Sequence, residues 1–89
     1  MTSLALKDLP NLGLKSQQML LSAGIESVEQ LRAFGSVRAY SCVKRVRGDA
    51  TLTLLWALEG ALSGLHWQVV ARECRTSLLL ALEAYERDV

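Results

Sequence analysis

The sequence predicts an all-α fold: a compact five-helix bundle forming one domain over residues 1–89. Apolar residues make up 51% of the chain and there is one proline, so the chain can bury one small core. The apolar residues recur at helical spacing in five segments, and we find no strand. Short connectors that contain glycine are typical of such a domain. Residues 4–8 can add one helical turn before the first helix.

The first predicted helix spans about Lys15–Ala23 and follows a tight turn. Pro10 fixes its own φ, whereas Gly13 is free to take a positive φ, which we expect in this turn. Gly24 is expected to end the helix as a C′ glycine, with Ile25 packing back against it.

Two further helices are predicted on either side of a glycine stop at Gly35. The second helix begins with a capping box, because Ser27 stands three residues before Gln30. The third starts after Ser36 as its N-cap and ends before a turn at Gly48-Asp49. The apolar positions expected to face the core from these two helices are Val28, Leu31, Phe34, Val37, Tyr40, Val43 and Val46.

The fourth predicted helix, Thr51–Ser63, is apolar on almost every side. We therefore place it in the centre of the bundle, with Trp56 mostly buried. Gly60 lowers its helix propensity by about 1 kcal/mol relative to alanine, which indicates that a neighbouring helix approaches closely there. A connector at Leu65-His66-Trp67 leads to a fifth helix, predicted as one segment over Val70–Glu86.

The sequence carries no catalytic, cofactor-binding or metal-binding signature. His66 is the only histidine, and we expect it to pack or to cap a helix. Cys42 and Cys74 lie far apart without Cys-x-x-Cys spacing, so we expect two buried free thiols. Neither a phosphate-binding loop nor a dinucleotide fingerprint is present. We therefore predict a protein that is not an enzyme and needs no cofactor and no metal.

The most apolar run, Leu52–Leu65, is too short to span a bilayer and contains Glu59. Because the chain also starts without a signal-peptide pattern, we predict a soluble cytoplasmic protein with no membrane partner. We expect Glu59 to reach a basic partner such as Arg38 or Arg45, or the domain surface, rather than to act as a general base.

The candidate contacts to nucleic acid are cations near the predicted turn. A turn that opens a helix with Lys15 beside it is how helix-hairpin-helix modules offer backbone N–H groups to a phosphate. The stretch Glu29–Asp49 has no acid between its ends, and Arg38 and Arg45 share a face of the third helix. The alternative is an ordinary solvated helix face, since a net charge of +1 lacks the basic excess of strong DNA binders. The residues expected to contact nucleic acid, if any do, are Gly13, Leu14, Lys15, Arg38 and Arg45.

A family resemblance is carried by motifs spread over almost the whole chain. They are Leu9-Pro10-Asn11-Leu12-Gly13, Ala23-Gly24-Ile25, Leu31 with Gly35, Trp56-Ala57-Leu58-Glu59-Gly60-Ala61-Leu62, Gly64 and His66-Trp67. With these motifs the chain resembles the C-terminal domain of the TfoX/Sxy proteins, bacterial regulators of DNA transformation competence. The resemblance implies a domain of the helix-hairpin-helix or SAM-like type. Asn11 stands where DNA-binding hairpins usually have a first glycine, and asparagine tolerates a left-handed φ.

The resemblance also implies a role in transcriptional activation of competence genes together with the cyclic-AMP receptor protein. The turn is similar as well to one in the C-terminal domain of the RNA polymerase α subunit, which contacts DNA and activators. We therefore predict a regulatory domain that acts mainly through contacts with transcription proteins. Two alternatives stay open: a weak, non-specific DNA-binding hairpin, and a structural domain that forms a homodimer or stabilises a fused partner.

Overall fold

The computed structural model describes residues 6–88, which form six α-helices and contain no strand. The helices are α1 Leu14–Ser22, α2 Val28–Phe34, α3 Ser36–Val46, α4 Leu52–Ser63, α5 Trp67–Glu73 and α6 Arg75–Asp88. A 3-10 turn at Leu6–Asp8 precedes them. The predicted all-α class is confirmed. Of the helical turn predicted over residues 4–8, the first two residues lie outside the described part of the chain.

Helix α4 lies in the middle of the bundle and packs against α3 and α5. Most of its residues are buried, namely Leu54, Leu55, Trp56, Ala57, Leu58, Gly60 and Ala61. A helix that is apolar on nearly every side keeps its side chains out of water only when other elements surround it. The prediction for Trp56 is confirmed, since 5% of this residue is exposed.

The predicted fifth helix is two helices. Trp67 begins α5 three residues before the predicted start, and the helical dihedrals are interrupted at Cys74, which has φ −111° and ψ 2°. The physical reason is tertiary: α5 packs against α4, whereas α6 packs against α3. Val70 on α5 and Leu78 on α6 are both buried, so each of the two helices contributes a side chain to the core.

The end of α1 is a Schellman motif, as the sequence predicts. Gly24 has φ +84°, and its N–H donates to the Leu21 carbonyl at 3.0 Å. The N–H of Ile25 donates to the Leu20 carbonyl at 2.9 Å, and both of these side chains are fully buried. The hydrophobic contact that accompanies this motif therefore anchors the chain to the core as it leaves the helix.

The junction between α2 and α3 confirms one cap and corrects another. The Ser27 hydroxyl accepts a hydrogen bond from the Gln30 N–H at 3.1 Å, and the Gln30 side chain accepts one from the Glu26 N–H at 2.6 Å. Gly35, with φ 80° and ψ 164°, is both the end of α2 and the N-cap of α3. The prediction that Ser36 caps α3 was wrong, because this glycine conformation already turns the chain and Ser36 is the first helical residue.

The turn before α1 is also built differently from the prediction. Gly13 has φ −120° and ψ −168°, an extended conformation that any residue adopts, and it is the N-cap of α1. The residue with positive φ is Asn11, at 70°. The expected positive φ at Gly13 was therefore wrong: the tight bend occurs two residues earlier.

The core-facing stripe predicted across α2 and α3 is correct except at its end. Val46 is 54% exposed, while Val37 is half-buried. At 3.6 residues per turn, three steps of three residues rotate a stripe by about 180°, so these two valines face opposite sides of α3. The predicted positions that are buried are Val28, Leu31, Tyr40 and Val43.

None of the helices in residues 6–88 combines the length and the apolar character that crossing a membrane requires.

Candidate interaction surfaces

The side chain of Asn11 joins the first turn to the connector between α4 and α5. Its Nδ2 donates to the Leu65 carbonyl at 2.8 Å, and its Oδ1 accepts from the backbone N–H of Trp67 at 3.0 Å. Trp67 is the first residue of α5. Asn11 therefore satisfies a backbone donor at the start of a helix that lies 56 positions further along the chain.

Gly60 lies directly against this bridge. A Cβ at Gly60 would collide with Asn11 Nδ2 and with the Leu65 carbonyl oxygen. The predicted close approach at Gly60 is confirmed, but its neighbours are a side chain and a connector rather than a helix. His66 completes the connector as the N-cap of α5, because its Nδ1 accepts from the Gln68 N–H at 3.1 Å. The predicted capping role of His66 is thus confirmed.

Lys15 lines a cleft of about 330 Å³ between the first turns of α1 and α4. Asp49 borders the same cleft. A side-chain hydrogen bond from Arg47 lowers the pKa of Asp49, and the charge of Lys15 acts weakly in the same direction. The cation predicted to meet a phosphate therefore shares its cleft with a carboxylate.

Arg45 lines a smaller cleft of about 160 Å³ together with Tyr40 and Glu86. Burial raises the pKa of the Tyr40 phenol, and the nearby Glu86 carboxylate raises it further. Lys44, on the same rim, donates from Nζ to the Ala50 carbonyl at 3.0 Å. This cleft again combines cations with a carboxylate.

Arg38 borders a third and more open groove of about 550 Å³ between α3, α4 and α6. Its guanidinium carbon lies 4.3 Å from the centroid of the Phe34 ring, a cation–π contact. Glu59 lines the same groove, and its Oε1 accepts a hydrogen bond of 2.7 Å from the Ser36 hydroxyl. Of the two expectations for Glu59, a basic partner or the surface, the structure supports the surface, with a hydroxyl as partner.

The structure brings some of the predicted contact residues together and separates others. Gly13 and Leu14 adjoin Lys15 at the start of α1, and Leu14 is 62% exposed. Arg38 and Arg45, although they are on one helix, line two other clefts. A contact of these residues with nucleic acid stays a prediction.

No pattern in the sequence predicts the long-range hydrogen bonds of Asn11 and Ser36. The Pro-Asn turn indicates that Asn11 can take a left-handed φ, but nothing near it in sequence points to residue 65 or 67. Similarly, the position of Ser36 after a glycine indicates a cap rather than a bond to a residue 23 positions away. Cys42 and Cys74 are free thiols, as predicted, but they are half-buried rather than buried.

Comparison with known proteins identifies related sequences. Residues 2–82 match the family described as the TfoX C-terminal domain. The DNA transformation protein TfoX of Haemophilus influenzae is 36% identical over 77 residues, which are 86% of this chain and 36% of that protein. The DNA transformation protein TfoX1 of Aliivibrio fischeri is 35% identical over 75 residues, which are 83% of this chain and 36% of that protein. The chain therefore spans about a third of the length of these relatives.

Two crystal structures from Listeria monocytogenes, one described as an uncharacterised protein in a triclinic form and one as a protein of unknown function in a tetragonal form, have a similar fold. The triclinic form matches with a TM-score of 0.80 at 29% identity, over 93% of this chain and 94% of that chain. The tetragonal form matches with a TM-score of 0.78 at 29% identity, over 89% of this chain and 98% of that chain. A similar helix arrangement therefore occurs in crystallised chains that this chain covers almost completely.

Proposed function

The chain belongs to the TfoX C-terminal domain family, and from this premise we propose that it is a regulatory domain of DNA transformation competence that acts mainly through protein contacts. Its relatives in H. influenzae and A. fischeri are DNA transformation proteins. The proposed partners are transcription proteins, first the cyclic-AMP receptor protein and RNA polymerase. The proposed domain is cytoplasmic and is not an enzyme.

The observation that carries this proposal is the placement of the three predicted contact cations. Non-specific DNA binding requires several cations that neutralise neighbouring phosphates together. Here Lys15, Arg38 and Arg45 line three different clefts, and each cleft also contains a carboxylate. Charges that face the same cleft act on a ligand together, because screening at physiological salt extends over a length of about 8 Å. Each carboxylate therefore weakens the positive potential that a phosphate would meet, which favours protein partners.

A second candidate function is weak DNA binding by a helix-hairpin-helix-like or SAM-like arrangement at the turn before α1. One observation favours it: the N-cap of α1 is Gly13, which has no side chain that could bond to the first N–H groups of the helix. The first N–H groups of a helix are anion-binding donors when no side chain occupies them. In this case the backbone N–H groups near Gly13 and Leu14 bind a phosphate, and the charge of Lys15 neutralises it.

Titration of the purified domain with duplex DNA at several salt concentrations separates the two candidates. A weak DNA-binding hairpin should bind with dissociation constants of about 10⁻⁴–10⁻⁶ M near physiological salt, without sequence preference, and its log binding constant should fall with log salt by about 0.9 per phosphate contact. A protein-contact domain should bind more weakly than this and show no such salt slope. Sub-micromolar, sequence-selective binding by the domain alone would overturn the main proposal. Direct binding to purified cyclic-AMP receptor protein and RNA polymerase is the complementary measurement, and the absence of binding to both would remove these two partners.

A further inference from the structure

We propose that the groove between α3, α4 and α6 docks an amphipathic helical segment of a partner protein whose apolar face carries one central lysine or arginine. The inference rests on the proposed protein-contact function and names the partner chemistry. We call the site the Glu59 groove. The residues that line it include Phe34, Arg38, Glu59, Leu62, Ala81 and Tyr85.

The walls of the Glu59 groove are largely apolar and open to solvent. Phe34, Leu62 and Tyr85 are half-buried, and Ala81 is exposed although it faces the same groove. The groove volume of about 550 Å³ has room for several side chains. Apolar walls formed by helices are the setting in which an amphipathic helix docks through residues at i, i+3 or i+4, and i+7.

Glu59 supplies the charge that selects the occupant. Its carboxylate accepts one hydrogen bond, from Ser36, whereas a carboxylate has about four acceptor positions. Within residues 6–88 the ion pairs are Arg47–Asp49 and Arg87–Glu83, so Glu59 has no cation at ion-pair distance there. A half-buried carboxylate beside apolar walls is incompletely solvated, and a cationic donor from a partner would form a strong, charge-assisted hydrogen bond with it.

Arg38 gives the groove a second charge. Its guanidinium stacks on the Phe34 ring, and both Arg38 and Glu59 line the groove, which therefore contains one positive and one negative side chain. A partner cation is repelled by Arg38 and attracted by Glu59. The charges therefore favour one register of the partner helix, and they disfavour a polyanion such as DNA, whose phosphates would meet both apolar walls and a carboxylate.

Synthetic helical peptides about four turns long provide the test. The first has leucines at helical spacing, one central lysine on that face, an uncharged polar face and blocked ends. Two matched peptides carry leucine or glutamate in place of the lysine. We expect the lysine peptide to bind the domain and to shift the amide NMR signals of Val37, Leu62 and Tyr85.

The Glu59→Gln variant removes the charge and keeps an oxygen that can accept from Ser36, so the fold is retained. We expect it to weaken lysine-peptide binding about 10- to 100-fold, the range typical of a hydrogen bond to a charged group. Glu73→Gln, an exposed change of the same kind on α5, is the matched control and should leave binding unchanged. Glu59→Lys paired with the glutamate peptide should restore binding.

Equal binding of all three peptides, no binding of the lysine peptide, or shifts confined to other surfaces would overturn the proposal. A homodimer in solution that covers the Glu59 groove would overturn it as well, because the occupant would then be a second copy. The wider function is tested separately: if intact transcription proteins bind wild-type and Glu59→Gln domains equally, the protein-contact function stands and the groove is not its site.

Discussion

Asn11 combines an uncommon backbone conformation with two long-range hydrogen bonds. Its φ of 70° is the one positive value among the non-glycine residues described. Its side-chain amide forms hydrogen bonds with the backbone of Leu65 and Trp67. The amide fits there because Gly60 has no side chain. Single residues of this kind connect segments that no local pattern relates, so their effects on stability are specific and measurable.

Two substitutions separate the stability that the Asn11 hydrogen bonds contribute from the effect of its backbone conformation. Asn11→Gly removes both hydrogen bonds without strain at positive φ, and we expect it to lower the free energy of unfolding by about 1–3 kcal/mol. Asn11→Ala should cost about 1 kcal/mol more, since alanine disfavours the left-handed region. Urea denaturation measures both values. A glycine variant as stable as wild type would show that the bridge does not contribute.

Serine substitutions at two glycines test whether the backbone at Gly13 is extended. Gly13 is an N-cap with an extended backbone, and a Cβ at this position would meet open space, so Gly13→Ser should be neutral or stabilising by a few tenths of a kcal/mol. Gly64 has φ +79°, so Gly64→Ser should destabilise by about 1 kcal/mol. Thermal melting of the pair is the measurement. Strong destabilisation by Gly13→Ser would instead indicate a positive φ at Gly13.

The raised pKa of Tyr40 predicts that the stability of the fold depends on pH in the alkaline range. Burial, assisted by Glu86, raises the pKa of its phenol above the usual 10.0, so the folded state favours the protonated form. This contribution is fully present below pH 10.0 and is lost as the pH rises through the pKa of the folded state. We expect Tyr40→Phe to flatten the decline in unfolding free energy above that pH. An unchanged alkaline decline in this variant would assign it to other groups.

Among the helices, the central helix α4 differs from α5 and α6 in what determines its structure. The burial of α4 follows from its own composition, because an apolar circumference requires neighbours on all sides. The separation of α5 from α6 at Cys74 follows from packing, since the two helices face α4 and α3 respectively. Helix propensity alone favours one continuous helix there, and tertiary contacts override it.

The central position of α4 predicts a large loss of stability when one of its buried side chains is truncated. Leu55 and Leu58 are fully buried, so truncation of either to alanine should lower the unfolding free energy by about 2–5 kcal/mol. Leu80→Ala is the matched control, because this α6 leucine is 62% exposed, and it should change stability by less than about 0.5 kcal/mol. Losses below about 1 kcal/mol at both α4 positions would contradict a central α4.

For the whole molecule, the distribution of charge supports the proposed protein contacts. A net charge of +1 describes the chain as a whole, but a ligand meets local potentials. The three clefts that contain Lys15, Arg38 and Arg45 each hold a carboxylate. The molecule therefore presents mixed surfaces, which suit complementary protein faces better than a uniform row of phosphates.

Because these cations line different clefts, their contributions to any DNA binding should be unequal. If the turn before α1 meets a phosphate, Lys15→Gln should reduce the slope of log binding constant against log salt by about 0.9. The double change Arg38→Gln and Arg45→Gln should leave that slope nearly unchanged. A loss of about 1.8 in the double variant would instead show that α3 forms the contact.

The all-α class, the caps at Ser27 and Gly24 and the burial of α4 are predictable from the chain's local patterns, because these depend on periodicity and on residues within one or two turns of each other. The position of the tight bend, the hydroxyl that bonds to Glu59 and the division of the cations among clefts depend instead on how the helices pack. The deciding contacts join Asn11 to Leu65 over 54 positions and Ser36 to Glu59 over 23 positions. Contacts over such separations arise when helices pack, and packing depends on the shapes of all the helices together rather than on any local pattern.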